Sequence, residues 1–208
     1  MNVLHQPPTD SMTRHRFVRS LRPIGWLGVA LLCACSSLRL PMHPAGWSER
    51  LGDLQHSDRW DMHGRAAVVI GSRGWQASVD WQQRRRSTVV HLAGPLGIGA
   101  TVLRLDRDGL SVNGSAPSPS GVDAMQERFG FELPVAQLRY WLLGVPDPDS
   151  QASVRFNTDG RASQLIQAGW TVDFLRYRES RGDWLPGLLV LNGEGVRVRI
   201  VIDRWGGV

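Results

Sequence analysis

Two cysteines are all that 208 residues contain, and Cys33 lies in a segment that reads as removed on maturation. The one that remains, Cys35, can form no internal disulfide, so a disulfide-stapled scaffold is excluded and the fold must rest on its own core. The apolar run Ile24 to Leu32 is too short to span a bilayer as a permanent helix. Lysine is absent, all 24 cationic side chains being arginine, which we read as genome composition rather than a demand of the fold. Catalytic sets are also missing. His43, His56, His63 and His91 are the only histidines after the leading segment, and none stands at metal-ligand spacing from another ligand type, which argues against a metal site. No Gly-x-Ser-x-Gly elbow occurs, and Gly94-Pro-Leu-Gly-Ile-Gly99 lacks the Lys-Ser/Thr ending of a phosphate loop. The sequence therefore predicts a non-enzyme without metal or cofactor.

What is present begins with a targeting segment. Arg14, Arg16, Arg19 and Arg22 form a basic region, Ile24 to Leu32 an apolar one, and Leu32-Cys33-Ala34-Cys35 follows. That tetrapeptide resembles the bacterial lipobox, which implies cleavage before Cys35 and acylation of it. Residues 1–11 add nothing a signal needs, so Met12 reads as the translation start. The predicted organisation is a signal peptide at 1–34, a lipidated tether at 35–46 and a single domain at 47–208. Four arginines and one aspartate leave with the signal, so the mature chain holds 20 Arg against 18 acids. A net charge near +2 gives no argument for nucleic acid. Ser36 rather than Asp follows Cys35, which by resemblance to proteobacterial lipoproteins implies the outer membrane.

Along the mature chain, Trp47, Leu51 and Leu54 predict an amphipathic helix over Gly46–Trp60. From Gly64 the period falls to two. Gly64–Ile70 is a strand, and Trp75, Ala77, Val79 and Trp81 alternate with polar residues on the next. Arg84-Arg85-Arg86 is a turn, read as a solvated loop or a contact for phosphate head groups. Thr88–Ala93 and Ile98–Leu105 are strands, and Asp108-Gly109 marks a hairpin. Two helices interrupt the meander. The first is capped by Ser120, with Val122, Met125 and Phe129 on one stripe; the second follows Pro134, with Val135, Leu138 and Leu142 on one face. They either cover one face of the sheet or simply complete a core. Strands resume at 151–157, 161–168, 170–174, 188–191 and 196–205. A sheet this long must curl, split or close. Eight tryptophans in the mature chain can pack a core or hold open the walls of a dry pocket.

Between the two runs of strand, Gly94-Pro95-Leu96-Gly97 sets a leucine near a turn tip, where Asn, Asp, Ser or Gly is usual. Leu96 is either an apex covered by neighbours or a probe for something apolar outside the protein.

In order along the chain, Trp81-Gln-Gln83, Gly94-Pro-Leu-Gly97, Leu133-Pro134, Leu138-Arg-Tyr-Trp-Leu-Leu-Gly-Val-Pro146, Gly169-Trp170, Leu185-Pro186 and Asp203-Arg-Trp205 resemble the outer-membrane lipoprotein receptor family LolB. Residues 36–60 match that family poorly, and the Arg84–Arg86 turn and the Gly206-Gly-Val208 tail are not features of it. The resemblance implies an α+β fold: an unclosed, strongly curved antiparallel β-barrel of about ten or eleven strands, with helices as a lid over an apolar cavity. It implies a monomer, lipid-anchored and facing the periplasm. Such a chain accepts acylated lipoproteins from the carrier LolA and inserts them into the inner leaflet of the outer membrane without ATP. Leu96, flanked by Pro95 and Gly97, becomes the membrane-insertion tip. Trp75, Val79, Trp81, Leu103, Met125, Leu138, Leu142, Val198 and Ile200 become the candidates to line the acyl cavity. Two other readings stay open: a periplasmic carrier of the same fold, and a non-transporting structural lipoprotein of the envelope.

Overall fold

A computed structural model of the chain describes residues 44–118 and 122–207; Cys35, the signal segment, most of the tether and the Ser120 cap lie outside these. The elements run α1 (Trp47–His56), β1 (Arg59–Ile70), β2 (Arg73–Arg84), β3 (Ser87–Ala93), a single 3₁₀ turn (Pro95–Gly97), β4 (Thr101–Asp106) and β5 (Gly109–Val112). They continue as α2 (Val122–Phe129), α3 (Val135–Trp141), β6 (Ala152–Phe156), β7 (Ala162–Gln167), β8 (Trp170–Ser180), β9 (Asp183–Gly193) and β10 (Val196–Gly206). All ten strands form one antiparallel sheet in the order β5-β4-β3-β2-β1-β10-β9-β8-β7-β6. Two five-stranded meanders thus meet at the β1–β10 pair, and the edges β5 and β6 stay unpaired with each other. The barrel is open, and the α2–α3 segment is the connection between its two edges.

Alternation sets the inner face. Trp60, Met62, Ala66 and Val68 of β1 point inward, as do Ala77, Val79 and Trp81 of β2 and Val196, Val198, Ile200 and Ile202 of β10. The register seats Val68 between Trp75 and Val198, and Met62 beside Trp81. Strands β4, β3, β2, β1 and β10 all contribute side chains to one cavity under α2 and α3. Neighbouring strands lie about 4.8 Å apart, so five of them converge on one hollow only if the sheet curls.

Several boundaries differ from the sequence reading, β8 for instance running on to Ser180 rather than ending at Phe174, and three of them bear on the architecture. Helix α1 ends at His56 rather than Trp60, with Ser57 already extended. Strand β1 starts at Arg59 rather than Gly64, because Trp60 finds its partners in the sheet. Its ring is fully buried, stacked on Trp81 at 5.8 Å and edge-on to Trp205 at 5.5 Å. At the β1–β10 bulge between His63 and Gly64, a Cβ on Gly64 would run into the Val201 carbonyl oxygen, so this position requires glycine. Third, β9 begins at Asp183 rather than Leu188 and carries Pro186 inside it. In a strand, a residue's N–H and C=O point to the same side. The Pro186 carbonyl accepts a hydrogen bond from Trp205 Nε1 at 3.0 Å, on the side where β10 pairs with β9 only over Leu188–Gly193. The missing N–H therefore breaks no ladder bond.

Candidate functional site

The inner face of the sheet and the apolar stripes of α2 and α3 enclose a hollow of about 50 Å³. The structure places all nine of the apolar positions named from the sequence around it: Trp75, Val79, Trp81, Leu103, Met125, Leu138, Leu142, Val198 and Ile200. It adds Met62, Ala66, Val68, Val90 and Leu92 from the sheet, and Phe129, Phe131, Leu133 and Val135 from the cover. The sheet positions of β1 were readable, since Met62, Ala66 and Val68 share one parity; beginning that strand at Gly64 hid the first. Among the described residues no polar side chain lines the hollow. At about 10–15 Å³ per water-sized sphere, its volume of about 50 Å³ holds roughly three to five such spheres. Long alkyl chains enter only if the cover moves off the sheet.

Two groups within this apolar region lack partners. The indole N–H groups of Trp60 and Trp81 are buried with no acceptor among the described residues. Each such orphan costs about 1–3 kcal/mol.

The cover is fixed firmly at its carboxyl-terminal root. Buried Gln167 on β7 accepts from Trp141 Nε1 at 2.8 Å and from the Asp147 backbone N–H at 2.9 Å. Its Nε2 donates to the carbonyls of Asp147 at 2.8 Å and Ser150 at 2.9 Å. One amide thereby uses two donor and two acceptor positions to bind the end of α3 and the following loop to the sheet. On β8, the Tyr177 hydroxyl donates to the Ala162 carbonyl at 2.8 Å. Burial pushes the phenol's pKa above its ordinary value, outweighing Arg50 and Arg161, which pull it down.

The loop that carries Leu96 flanks the Trp75, Leu92 and Phe129 wall of the hollow. The backbone turns with the Gly97 N–H donating to the Gly94 carbonyl at 2.9 Å. Pro95 occupies the second position and Leu96 the third, at φ 58° and ψ 21°. That left-handed conformation normally selects Gly or Asn and costs an L side chain about 1–3 kcal/mol. The leucine is 99% exposed, which excludes the covered-apex reading. The strand predicted from Ile98 starts instead at Thr101, and Ile98 belongs to the same loop, 73% exposed. The tip is therefore two aliphatic side chains, and the second was absorbed into a strand by its apolar neighbours in sequence. Gly94 explains the loop's shape: a Cβ there would lie 2.6 Å from the Ile98 carbonyl oxygen.

At the other end of the β2–β3 hairpin, Arg84 pairs with Asp61 at 2.7 Å, and Arg85 and Arg86 are exposed. Among the described residues no three His, Cys, Asp or Glu side chains converge as metal ligands, and no helix is long and apolar enough to cross a membrane.

The sequence model of the family described as outer membrane lipoprotein LolB matches residues 58–205. The chain belongs to the LolB family. An outer-membrane lipoprotein LolB of Pseudomonas syringae pv. syringae (strain B728a) is 33% identical over 203 residues, covering 92% of this chain and 95% of that protein. The LolB of Pseudomonas aeruginosa (strain LESB58) is 33% identical over 190 residues, covering 85% and 91%. Among solved structures, a LolA superfamily protein of Nitrosomonas europaea superposes with a TM-score of 0.50 at 8% identity, over 76% of this chain and 92% of that one. That likeness supports the fold. The LolB match spans both meanders, the tip and the cover, so every part of the site lies inside the family's region.

Proposed function

We propose that this LolB-family chain is a lipid-anchored receptor on the periplasmic face of the outer membrane. It takes acylated lipoproteins from a LolA-type carrier and inserts them into the inner leaflet. The observation that carries this reading is the pairing of a covered apolar hollow with an exposed aliphatic tip on the loop beyond its Trp75, Leu92 and Phe129 wall.

Acyl chains exposed to water cost about 0.8 kcal/mol per methylene, so a cargo with several chains must pass from one apolar enclosure to another. Moving the cover off the sheet exposes Met125, Leu138 and Leu142, each of which is worth about 1.5–3 kcal/mol when buried. About ten methylenes entering the hollow return roughly 8 kcal/mol, of the same size as those three burials together. A closed resting state therefore keeps the apolar walls dry, and the cargo itself holds the cover open. No nucleotide is needed if affinity rises from carrier to receptor to bilayer. Leu96 and Ile98 lower the last barrier by dipping into the leaflet, and Cys35, as the acylated residue, holds the domain near it. The chain performs no covalent chemistry.

The test is hand-over of a triacylated lipoprotein from a purified loaded carrier to this chain, without nucleotide, followed by appearance of the cargo in vesicles. Cargo that stays on the carrier refutes the reading.

A further inference from the structure

The hollow has a neighbour. A groove of about 430 Å³ runs beneath the tip, floored by Gly94, Pro95, Ile98 and Thr101 and walled by α2. Trp75, Leu92 and Phe129 line both spaces, so these three side chains are the partition between them. Trp75 and Phe129 close it as a stacked pair, 5.6 Å between centroids and 27° between planes. Beside Phe129, Arg128 ties the amino-terminal helix of the cover to the base of the tip. Its Nε donates to Thr101 Oγ1 at 3.0 Å and its Nη2 to the Gly99 carbonyl at 2.9 Å, and its guanidinium lies 5.9 Å from the Phe129 ring.

We propose that this partition is the exit portal: acyl chains leave the hollow between Trp75 and Phe129 and enter the groove under Leu96, and Arg128 is the latch that keeps the portal shut. The inference rests on the receptor reading above. Two features give the direction of opening. Among the described residues, the cover is tied to the sheet before α2 by the Leu110–Ser118 backbone pair and after α3 by the four hydrogen bonds of Gln167, whereas the carboxyl end of α2 between them is hydrogen-bonded to the tip loop through one exposed side chain, Arg128. The carboxyl end of α2 therefore parts first, and it parts where the rings stack. The same movement releases Gly99 and Thr101, which form the base of the tip loop. Portal opening and freeing of the tip are thus one event, and the chains emerge beside the residues that meet the bilayer.

Two hydrogen bonds from an arginine, each worth a factor of roughly three to ten, bound the effect of removing the latch. The experiment uses the full lipidated chain in vesicles of phosphatidylethanolamine and phosphatidylglycerol carrying a spin-labelled lipid. A fluorescent diacylated peptide is supplied, its binding is read by anisotropy, and its arrival in the bilayer by quenching. Arg128→Ala should deliver the peptide about ten-fold faster than the parent, and Arg128→Lys should fall between them. A merely structural role would slow delivery rather than speed it. In a Thr101→Cys/Arg128→Cys pair joined by a short reducible linker, delivery should fall at least ten-fold and return on reduction. Delivery at the parental rate by the linked pair, or no acceleration in Arg128→Ala, overturns the portal. A parent that neither binds nor delivers the peptide fails the receptor reading instead, which keeps the two failures apart.

Discussion

Replacing Leu96 with asparagine separates what this side chain costs the fold from what it does outside it. At φ 58° the leucine bears about 1–3 kcal/mol of backbone strain, and asparagine tolerates that region well. Being 99% exposed, the leucine returns nothing through burial in the domain. Leu96→Asn should therefore melt at or slightly above the parent temperature. In a bilayer the balance reverses, because full burial of a leucine is worth about 1.5–3 kcal/mol, a factor of roughly 10 to 150 in partition or in delivery rate. Ile98, 73% exposed on the same loop, retains part of the contact and places the expected loss toward the lower end of that range. Leu96→Glu should abolish delivery while leaving peptide binding intact. The assay is arrival of a fluorescent diacylated peptide in quencher-loaded vesicles, with a thermal melt on the same preparation. Parental delivery by a folded Leu96→Asn/Ile98→Asn double variant would refute the tip's role. A melt well below the parent's would refute the strain argument.

Other consequences concern the frame around the site. Gln167→Leu leaves the Trp141 and Asp147 N–H groups without their acceptor, at a cost of about 3 kcal/mol or more, and a calorimetric melt should fall by roughly 6–12 °C. In Tyr177→Phe, loss of the bond to the Ala162 carbonyl should cost about 1 kcal/mol at neutral pH. The alkaline limb carries a further signature. The buried phenol keeps its proton above its ordinary value of 10 while the unfolded chain loses it, so the native state binds more protons there and stability falls as pH rises past 10. Urea titrations between pH 9 and 11 should show a steeper loss in the parent than in Tyr177→Phe. Gly64→Ala puts a Cβ against the Val201 carbonyl oxygen in the middle of the sheet, and soluble expression should be lost, whereas Gly52→Ala on α1 meets no neighbour and should leave the melt nearly unchanged.

How far the sequence could be read follows from where local pattern decides. Period-two runs such as Trp75–Trp81 and Val196–Ile202 have one wet and one dry face, so both strand and inner face were legible there, and the cavity positions with them. The two helical stripes were legible for the same reason, although whether they covered a hollow or filled a core was not. The failures share a cause in long-range contact. Trp60 belongs to a strand because Trp81 and Trp205 lie beside it, 21 and 145 residues away. The sequence reading starts a strand at Leu188, yet the gap between β9 and β10 leaves room for Pro186 inside the strand, which begins at Asp183. Ile98 looked like a strand residue because nothing local says that an apolar side chain will be left in solvent. The size of the hollow and the Arg128 latch depend on how two helices settle on a curved sheet, which no spacing encodes.

The central claim is that acyl chains occupy the hollow beneath α2 and α3. A diacylated peptide carrying a photoactivatable group near the end of one acyl chain, bound to the lipidated protein and irradiated, tests it most directly by mapping the labelled residues. The account predicts labels on cavity residues such as Met125, Leu138 and Val198, lost when unlabelled diacylated peptide competes. Labels confined to the outer face of the sheet or to the exposed tip, in protein that still delivers its cargo, would contradict it.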